Sequence, residues 1–393
     1  MYRYSLTFFL TMFLIGTDTF LISPLLPTLS ALYGTPTSIS GWLVSAYAIG
    51  YVIFAFVSGP ISDDRDRKKV MLWGLAAFAC STALCGFASN FQLMLLFRFL
   101  AGVSASFVTP QVWATIPVIV EKPQIVRVMG YATAGLSVSQ LVGIPIGSYL
   151  AVVSWRIPFF VIAAAALALM TAITLILPAM PATRIHGEHL SFIKTYAQIL
   201  SNKTALSRLF AYFIFQTGSF TATTFISTWF TGSFGLSLSG VGTAMIAIGA
   251  GNLLGSLLGS RVVSAFGQGR SFLVELLTLV VLYIMVSFSD TFWLAEVLLT
   301  IIYLVNGFIF PLFMTTLQES VSQARSTISS LSNAAMYLGE TLAGIAGGLL
   351  INHFSGYTGI GYFAAILILL AIALYAQTGV FRTTSQESQK SQK

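Results

Sequence analysis

The sequence predicts an all-α membrane protein in which twelve transmembrane helices form two pseudosymmetric six-helix bundles. Composition is the first reason: 56% of the 393 residues are hydrophobic and only 8% are charged, whereas soluble domains carry about 25% charged residues. Spacing is the second, because apolar blocks of about 20 residues, long enough to cross a bilayer as helices, recur along the chain. The third is a long polar connection, residues 181–206, with six such blocks on each side.

Hydropathy in a window of about 19 residues places the twelve spans. They cover residues 5–27, 39–59, 69–89, 92–117, 127–150, 157–179, 207–230, 238–261, 271–289, 292–315, 327–351 and 358–379. No small-residue cleavage site follows the first apolar run, so we expect span 1 to be retained rather than removed as a signal peptide.

The basic residues indicate how the spans are oriented. If the N-terminus is inside, all lysines and arginines except Arg98 and Arg156 fall in the inner loops or in the two tails. Basic residues collect in cytoplasmic loops, so this distribution predicts two cytoplasmic termini in a plasma membrane such as the bacterial inner membrane. The same rule accounts for the net charge of +7, and we expect lipid rather than nucleic acid as the partner.

The long connection divides the chain into four parts. We expect a six-helix bundle over 1–180, a cytoplasmic linker over 181–206, a second bundle over 207–380 and a cytoplasmic tail over 381–393. Apolar residues at near-helical spacing in the linker predict an amphipathic helix on the inner membrane surface; they are Leu190, Ile193, Tyr196, Ile199 and Leu200.

Two charged residues lie inside spans of the first half. Asp18 is in the middle of an apolar run and Arg98 is in span 4, at a similar depth. A charge at the bilayer centre costs about 2.5–3.5 kcal/mol, so such residues are functional candidates. One interpretation is a proton-coupling pair, in which the Asp18 carboxyl takes up and releases a proton beside the guanidinium. The other is a fixed ion pair that clamps two helices.

Glu340, in the middle of span 11, is the corresponding acid of the second half. It is a candidate second proton site or a binding group for a cationic substrate, and the alternative is a packed, protonated or snorkelled residue. Glu275 and Glu296 lie nearer to helix ends, where we expect the side chains to snorkel to the interface.

Short segments are repeated between the two halves. GPISDDRDRKK follows span 2 and GSRVVSAFGQGR follows span 8, while GIPIGS in span 5 has a counterpart, GIAGG, in span 11. Two repeated six-span halves with polar residues near the midplane are typical of secondary transporters.

These segments resemble the major facilitator superfamily over essentially the whole chain. The family pattern G-x-L-a-D-R-x-G-R-R/K after span 2 matches at Gly59, Asp63 and Arg67. Asp66 replaces its second glycine, and because Asp tolerates left-handed backbone angles we expect a tight turn there. The R-x-x-x-G pattern of span 4 matches Arg98 and Gly102, GIPIGS is a variant of the antiporter run in span 5, and SWRIPFF is similar to the entry of span 6.

The opening segment GTDTFLISPLLP is similar to span 1 of the twelve-span drug:proton antiporters, whose relatives carry an acid at the place of Asp18. The resemblance implies the MFS fold, alternating access and a set of gating residues: Gly59, Asp63, Arg67, Gly102, Gly143, Pro145 and Gly147. Pro145 is expected to kink span 5, and a purely packing role for the span 5 glycines remains the alternative.

Polar and aromatic residues within the spans are candidates to line a substrate cavity. They are Tyr47, Gln111, Trp113, Gln140, Asn252, Asn306, Asn333 and Tyr337. The sequence has neither a P-loop nor a catalytic Ser/His/Asp or metal cluster, so no enzyme activity, cofactor or metal is predicted.

The sequence therefore predicts a proton-coupled transporter, expected to act as a monomer, that exports an amphipathic organic solute and draws its energy from the proton gradient. The alternatives are proton-coupled export or import of a specific polar metabolite, such as a sugar or a siderophore-like compound, and a non-transporting receptor or scaffold.

Overall fold

The computed structural model describes residues 2–63, 65–121, 124–180, 199, 201–321 and 325–381. Within these ranges the chain is helical and contains no strand. Twelve of the helices described are long and apolar enough to cross a membrane, in agreement with the predicted number. They are α1 (Tyr2–Tyr33), α2 (Trp42–Asp63), α3 (Arg67–Gly86), α4 (Phe91–Ile119), α5 (Ile125–Val138, Ser139–Gly143 and Ile144–Val153), α6 (Ile157–Ile176), α7 (Lys203–Phe234), α8 (Leu238–Phe266), α9 (Gln268–Val286), α10 (Phe292–Glu319), α11 (Arg325–His353) and α12 (Thr358–Gln377).

Successive membrane helices run in opposite directions, so the beginning of α1 and the end of α12 lie on the same side of the molecule. We call this the terminal side. The opposite side, which carries the connections 34–41, 87–90, 154–156, 235–237, 287–291 and 354–357, is the far side.

The contacts within each half repeat one pattern. In the first half α1 packs on α5, α2 on α4 and α3 on α6; in the second half α7 packs on α11, α8 on α10 and α9 on α12. Each pair of the second half is the corresponding pair of the first, displaced by six helices. The fold is therefore two pseudosymmetric six-helix bundles, as the sequence predicts.

Glycines allow the helices of a bundle to approach closely. A Cβ atom at Gly102 would overlap the carbonyl oxygen of Tyr47, so α4 and α2 are in backbone contact there. The matching pair of the second half has the same feature, because a Cβ at Gly255 of α8 would overlap the carbonyl oxygen of Leu304 in α10. Small residues of this kind are what helix association in a membrane requires, since lipid competes equally well for apolar surface.

The two halves meet along two seams in the far-side part of the molecule. In the first seam Ser45 of α2 donates a hydrogen bond to the Thr341 carbonyl of α11 at 2.7 Å. A Cβ at Gly344 would overlap the Gly41 carbonyl oxygen in the same seam. In the second, α5 packs on α8. Between the seams Ser227 of α7 donates to the Pro24 carbonyl of α1 at 3.1 Å.

Helix α5 is irregular where the sequence indicates a kink. A π-helical turn, Ser139–Gly143, interrupts the α-helix, and Pro145 lies in the first turn of the helical segment that follows. A π-turn adds a residue to the helical repeat and is often found at functional sites. We expected Pro145 alone to kink this helix, but the irregular backbone begins at Ser139, before the proline.

Of two expectations about the connections between helices, the one for Asp66 is wrong and the one for the linker is not tested. Asp66 is not left-handed: with φ −61° and ψ 113° it is the extended N-cap of α3, and its carboxylate accepts from the Lys68 and Met180 amides. Its side-chain oxygen satisfies one N–H of the first turn of α3 and the Met180 N–H after α6, which explains why an aspartate fits here. The predicted amphipathic helix lies almost entirely outside the described residues, and α7 begins at Lys203, inside the predicted linker.

Candidate functional site

A buried ion pair joins α1 to α4. Arg98 Nη1 lies 2.9 Å from Asp18 Oδ2, and both side chains are buried. The same nitrogen lies 3.3 Å from the Asp18 carbonyl oxygen. The two charges that the sequence places at a similar depth are thus in direct contact.

Helix α2 holds the guanidinium in place. The Arg98 side chain lies over the ring of Tyr47, with 4.5 Å from its carbon Cζ to the ring centroid, and its Nε donates to the Leu43 carbonyl at 3.5 Å. The hydroxyl of Tyr47 in turn accepts a hydrogen bond from Thr19, the neighbour of Asp18. An arginine over an aromatic face gains cation–π attraction, which is stronger in a desolvated site.

The ion pair is incompletely satisfied. Among the described residues, Asp18 Oδ1 and Arg98 Nη2 are buried without a hydrogen-bond partner. The Thr82 hydroxyl of α3 lies beside the Asp18 carboxyl and has no other partner in the described part of the chain. Buried polar atoms are normally paired, so each exception calls for an explanation. A carboxylate with one oxygen bound by arginine and the other open can accept a proton at the open oxygen, and the guanidinium stabilises the ionised form.

Glu340 lies on α11, next to the first seam. Its side chain is 3% exposed and, in the part of the chain that the structure describes, its Oε2 has no hydrogen-bond partner. One turn before it the ring of Tyr337 stacks on Tyr51 of α2 at 3.8 Å between centroids, and the next residue, Thr341, bonds to Ser45. Asp18, Arg98, Tyr47, Tyr337 and Glu340 are therefore all gathered around α2.

The other acids within spans differ from one another. Glu296 is partly exposed, as expected for a residue near a helix end. Glu275 contradicts the snorkelling prediction: it is 6% exposed, and neither carboxyl oxygen has a hydrogen-bond partner among the described residues. Its face of α9 is covered by neighbouring helices, since the ring of Phe272, one turn earlier, contacts Phe313 of α10 and Tyr375 of α12.

A small cavity of about 30 Å³ lies between the halves. Gln140 lines it and accepts a hydrogen bond from Asn252 across the second seam. The remaining lining residues come from α1, α5, α7, α8 and α10: Phe20, Ser23, Pro24, Ile144, Thr223, Met245, Ile248, Gly249 and Tyr303.

Sequence reasoning missed the polar groups of this cavity. Tyr303 donates to the Thr223 hydroxyl at 2.8 Å, and Ser23 donates to the Thr224 carbonyl at 2.8 Å. Serine and threonine occur in most spans of this chain, so their identity carried no signal.

The other predicted cavity residues do not line this space. Gln111 is buried with an unpartnered Oε1 among the described residues, and Trp113 is partly buried against the core. Asn306 lies beside the hydroxyl of Tyr283 within the second half. Asn333 is partly buried on α11.

The predicted gating residues fall in three places, one of which is Gly102 in the contact of α4 with α2. Gly59 and Asp63 lie in the last turns of α2, and Arg67 begins α3, where its amide donates to the Met180 carbonyl at 3.2 Å. In α5, a Cβ at Gly143 would overlap the Thr17 hydroxyl, and one at Gly147 would overlap the Leu21 side chain. These two glycines thus bring α5 against α1, directly beside Asp18.

Comparison with known proteins places this arrangement in a family. The model of the Major Facilitator Superfamily matches residues 8–339 and 208–393. The chain is 46% identical to the uncharacterized MFS-type transporter YceJ of Bacillus subtilis (strain 168), with coverage of 96% of this chain and 98% of that one. It is 27% identical to Multidrug resistance protein 1 of the same organism, over 90% of each chain.

A solved structure supports the same assignment of the fold. The structure of a D-xylose-proton symporter superposes with a TM-score of 0.81 and 15% identity, over 95% of this chain and 97% of that chain. Transporters of this type are not enzymes and need no cofactor. The chain is a multi-pass membrane protein that belongs to the Major Facilitator Superfamily of transporters.

Proposed function

We propose that this protein is a proton-coupled exporter of amphipathic organic solutes that works by alternating access. The observation that carries the proposal is the buried Asp18–Arg98 pair, in which one carboxyl oxygen is bound by arginine and the other is open. An ionisable pair at membrane depth is costly and marks proton or substrate pathways.

Asp18 is proposed to take up a proton from the far side and to release it on the terminal side, while Arg98 stabilises the ionised carboxylate. The halves rock so that the far-side seams separate and close again, and substrate leaves as the proton enters. One charge that crosses the full field gains about 2.3 kcal/mol per 100 mV. A single proton therefore supports a substrate concentration ratio of roughly fifty at that potential.

The proposed substrate class rests on one relative and on the residues between the halves. Multidrug resistance protein 1, at 27% identity, supports export of varied organic compounds. The cavity beside Gln140 combines apolar walls with a few hydroxyl and amide groups, the usual make-up of a small-molecule site. Further substrate-binding candidates along the pathway are Tyr47, Gln111, Trp113, Asn252, Asn306, Asn333 and Tyr337.

The proposal includes a setting for the transporter. Both termini face the cytoplasm of a bacterium and the protein acts as a monomer. The cytoplasmic linker 181–206 joins the bundles 1–180 and 207–380, and the tail 381–393 follows the second bundle. The residues after α2, namely Gly59, Asp63 and Arg67, together with the α5 segment Gly143, Pro145 and Gly147, gate the movement. The distribution of Lys and Arg supports this orientation.

Everted membrane vesicles test direction and coupling together. We expect vesicles that contain the protein to accumulate a fluorescent amphipathic dye when their interior is acid, and a proton ionophore to abolish the accumulation. Asp18→Asn keeps the size and hydrogen-bonding shape of the side chain but cannot titrate. This variant should still exchange dye down a gradient and should not concentrate it. Accumulation that survives the ionophore, or full proton-driven accumulation by Asp18→Asn, would contradict the proposal.

A further inference from the structure

Arg98 and Glu340 each bring an unused polar atom to the same region. Arg98 Nη2 belongs to the first half and Glu340 Oε2 to the second, and both are buried without a hydrogen-bond partner within the described ranges. Arg98 is the charge that acts electrostatically on Glu340. Opposite charges at short range in a low-dielectric interior attract strongly, so two open, complementary atoms across a moving interface need an explanation.

The segment of α2 between them contacts both. Tyr47 of α2 holds the Arg98 guanidinium over its ring. Tyr51, one turn later on the same face of α2, stacks on Tyr337, which lies one turn before Glu340 on α11. The arginine and the glutamate therefore approach the same face of α2. The distance between them therefore depends on whether the first seam is closed.

We propose that Glu340 is the second partner of Arg98, and that the attraction between them latches the halves together on the far side when Asp18 takes up a proton. The inference rests on the proposed coupling role of Asp18. While Asp18 is ionised it holds Arg98 in the first half. Once the carboxyl is neutral the guanidinium loses that attraction, and the remaining acid within reach is Glu340, across the seam.

The direction of the latch fits a proton antiporter. A proton that arrives from the far side neutralises Asp18, the latch forms, and the far side closes with the proton inside. Release of the proton on the terminal side returns Arg98 to Asp18 and weakens the latch, so that a substrate-loaded transporter can open outward. The arginine stays charged throughout, and only one proton moves.

The surroundings leave few competing charges. From α2 the titratable groups near Glu340 are Tyr47 and Tyr51, and on its own helix Tyr337. Helix α7, which packs on α11, has Tyr212 as its one titratable group after Arg208. Helix α10 has Tyr303 and acids only near its ends, and α12 has tyrosines but no acidic or basic residue. Arg98 is thus the cation available to Glu340 among these elements.

A thiol reporter on the far side tests the latch without transport. Ser227 of α7 is fully buried and bonds across the halves to Pro24 of α1, so the reporter changes no residue of α2 or α11. We would introduce Ser227→Cys together with Cys80→Ser and Cys85→Ala. The labelling rate by a membrane-impermeant maleimide is then measured in intact cells, with ionophore present and no substrate.

The expected changes have opposite signs. Asp18→Asn, which mimics the protonated acid, should slow labelling, and Glu340→Gln should speed it about five-fold, the lower range of a typical coupling between sites. The double variant should label as fast as Glu340→Gln alone. Glu275→Gln is the matched control, because it removes another buried acid of the same half, and it should label at the unmodified rate.

Three results would overturn the latch: no change with Glu340→Gln, the same increase with Glu275→Gln, or a double variant that labels as slowly as Asp18→Asn. If Glu340→Gln does not reach the membrane, Glu340→Asp, which keeps the charge and shortens the reach, should also speed labelling, and an unmodified rate would count against the latch. Failure of the proposed function shows separately, as dye accumulation that survives the ionophore.

Discussion

At the scale of single residues, the main question is whether the Asp18–Arg98 pair couples transport to protons or only stabilises the fold. Removal of one partner of a buried pair leaves the other charge uncompensated, which costs about 3–5 kcal/mol. Asp18→Asn removes the charge of the acid but keeps an amide for Arg98 to bond. The guanidinium left by Asp18→Asn also keeps the Tyr47 ring and the Leu43 carbonyl as partners, so the two single changes are unequal although each alters the same ion pair.

We accordingly expect Arg98→Ala to lower the unfolding free energy by about 3–5 kcal/mol, because Asp18 is left buried and unpaired. Asp18→Asn should cost much less. The double variant should be clearly more stable than the sum of the single effects predicts, since the unpaired carboxylate is gone. Thermal unfolding of the purified protein measures stability, and vesicle accumulation measures coupling. A double variant that regains both stability and proton-driven accumulation would identify the pair as a clamp.

The contacts and burial of some residues of this site can be predicted from the sequence, and those of others cannot. The contact between Asp18 and Arg98 follows from their similar depth in the membrane, because opposite charges within the hydrocarbon layer usually pair with each other. The burial of Glu275 does not follow, because its distance from the helix end says nothing about which helices cover that face. Ser23 and Tyr303 were missed for a similar reason: what singles them out is their place on the wall of the cavity between the halves, and the sequence of one span does not show it.

At the scale of elements, α2 is the helix on which the site depends. It holds Arg98 through Leu43 and Tyr47, and it meets α4 where a Cβ at Gly102 would overlap the Tyr47 carbonyl oxygen. Extra atoms in a tightly packed contact usually cost about 1–3 kcal/mol. A shift of α2 would also move the ring on which the guanidinium rests.

Gly102→Ala should therefore lower the melting temperature and reduce proton-driven accumulation together. Gly130 of α5 offers a matched control, because it is also helical and a Cβ there meets nothing within 4 Å. Gly130→Ala should stabilise the helix by as much as about 1 kcal/mol, the difference in helix propensity. Both are measured by thermal unfolding and dye uptake. Equal effects of the two substitutions would show that the α2–α4 contact is not tight.

The helices also show what hydropathy can and cannot predict. Twelve spans were predicted because an apolar block of about 20 residues is long enough to cross the bilayer as a helix, whatever its neighbours are. The π-helical turn at Ser139–Gly143 was not, because proline signals a break but not the hydrogen-bond pattern around it. The role of Asp66 was wrong for a comparable reason: a capping aspartate and a left-handed aspartate look alike until the partner amides, here Lys68 and Met180, are known.

At the scale of the whole molecule, contacts within a half and contacts between halves have different consequences. In the proposed alternating-access cycle, contacts within a half, such as Gly102 on Tyr47, hold in every state. Contacts between halves, such as Gly344 on Gly41 and Ser45 on Thr341, break when the far side opens in that cycle. A perturbation of the second kind shifts the balance between conformations instead of destabilising each bundle.

Gly344→Ala places a Cβ against the Gly41 carbonyl oxygen and the Ser45 hydroxyl, so it should weaken the closed far side. We expect faster maleimide labelling of the Ser227→Cys thiol, by about five-fold for a shift near 1 kcal/mol, with a smaller loss in melting temperature than Gly102→Ala causes. Gly232→Ala on α7, where a Cβ meets nothing within 4 Å, is the control and should leave labelling unchanged. If Gly344→Ala instead lowers the melting temperature as much as Gly102→Ala does and leaves labelling unchanged, the first seam is a permanent contact and the halves must move about another line.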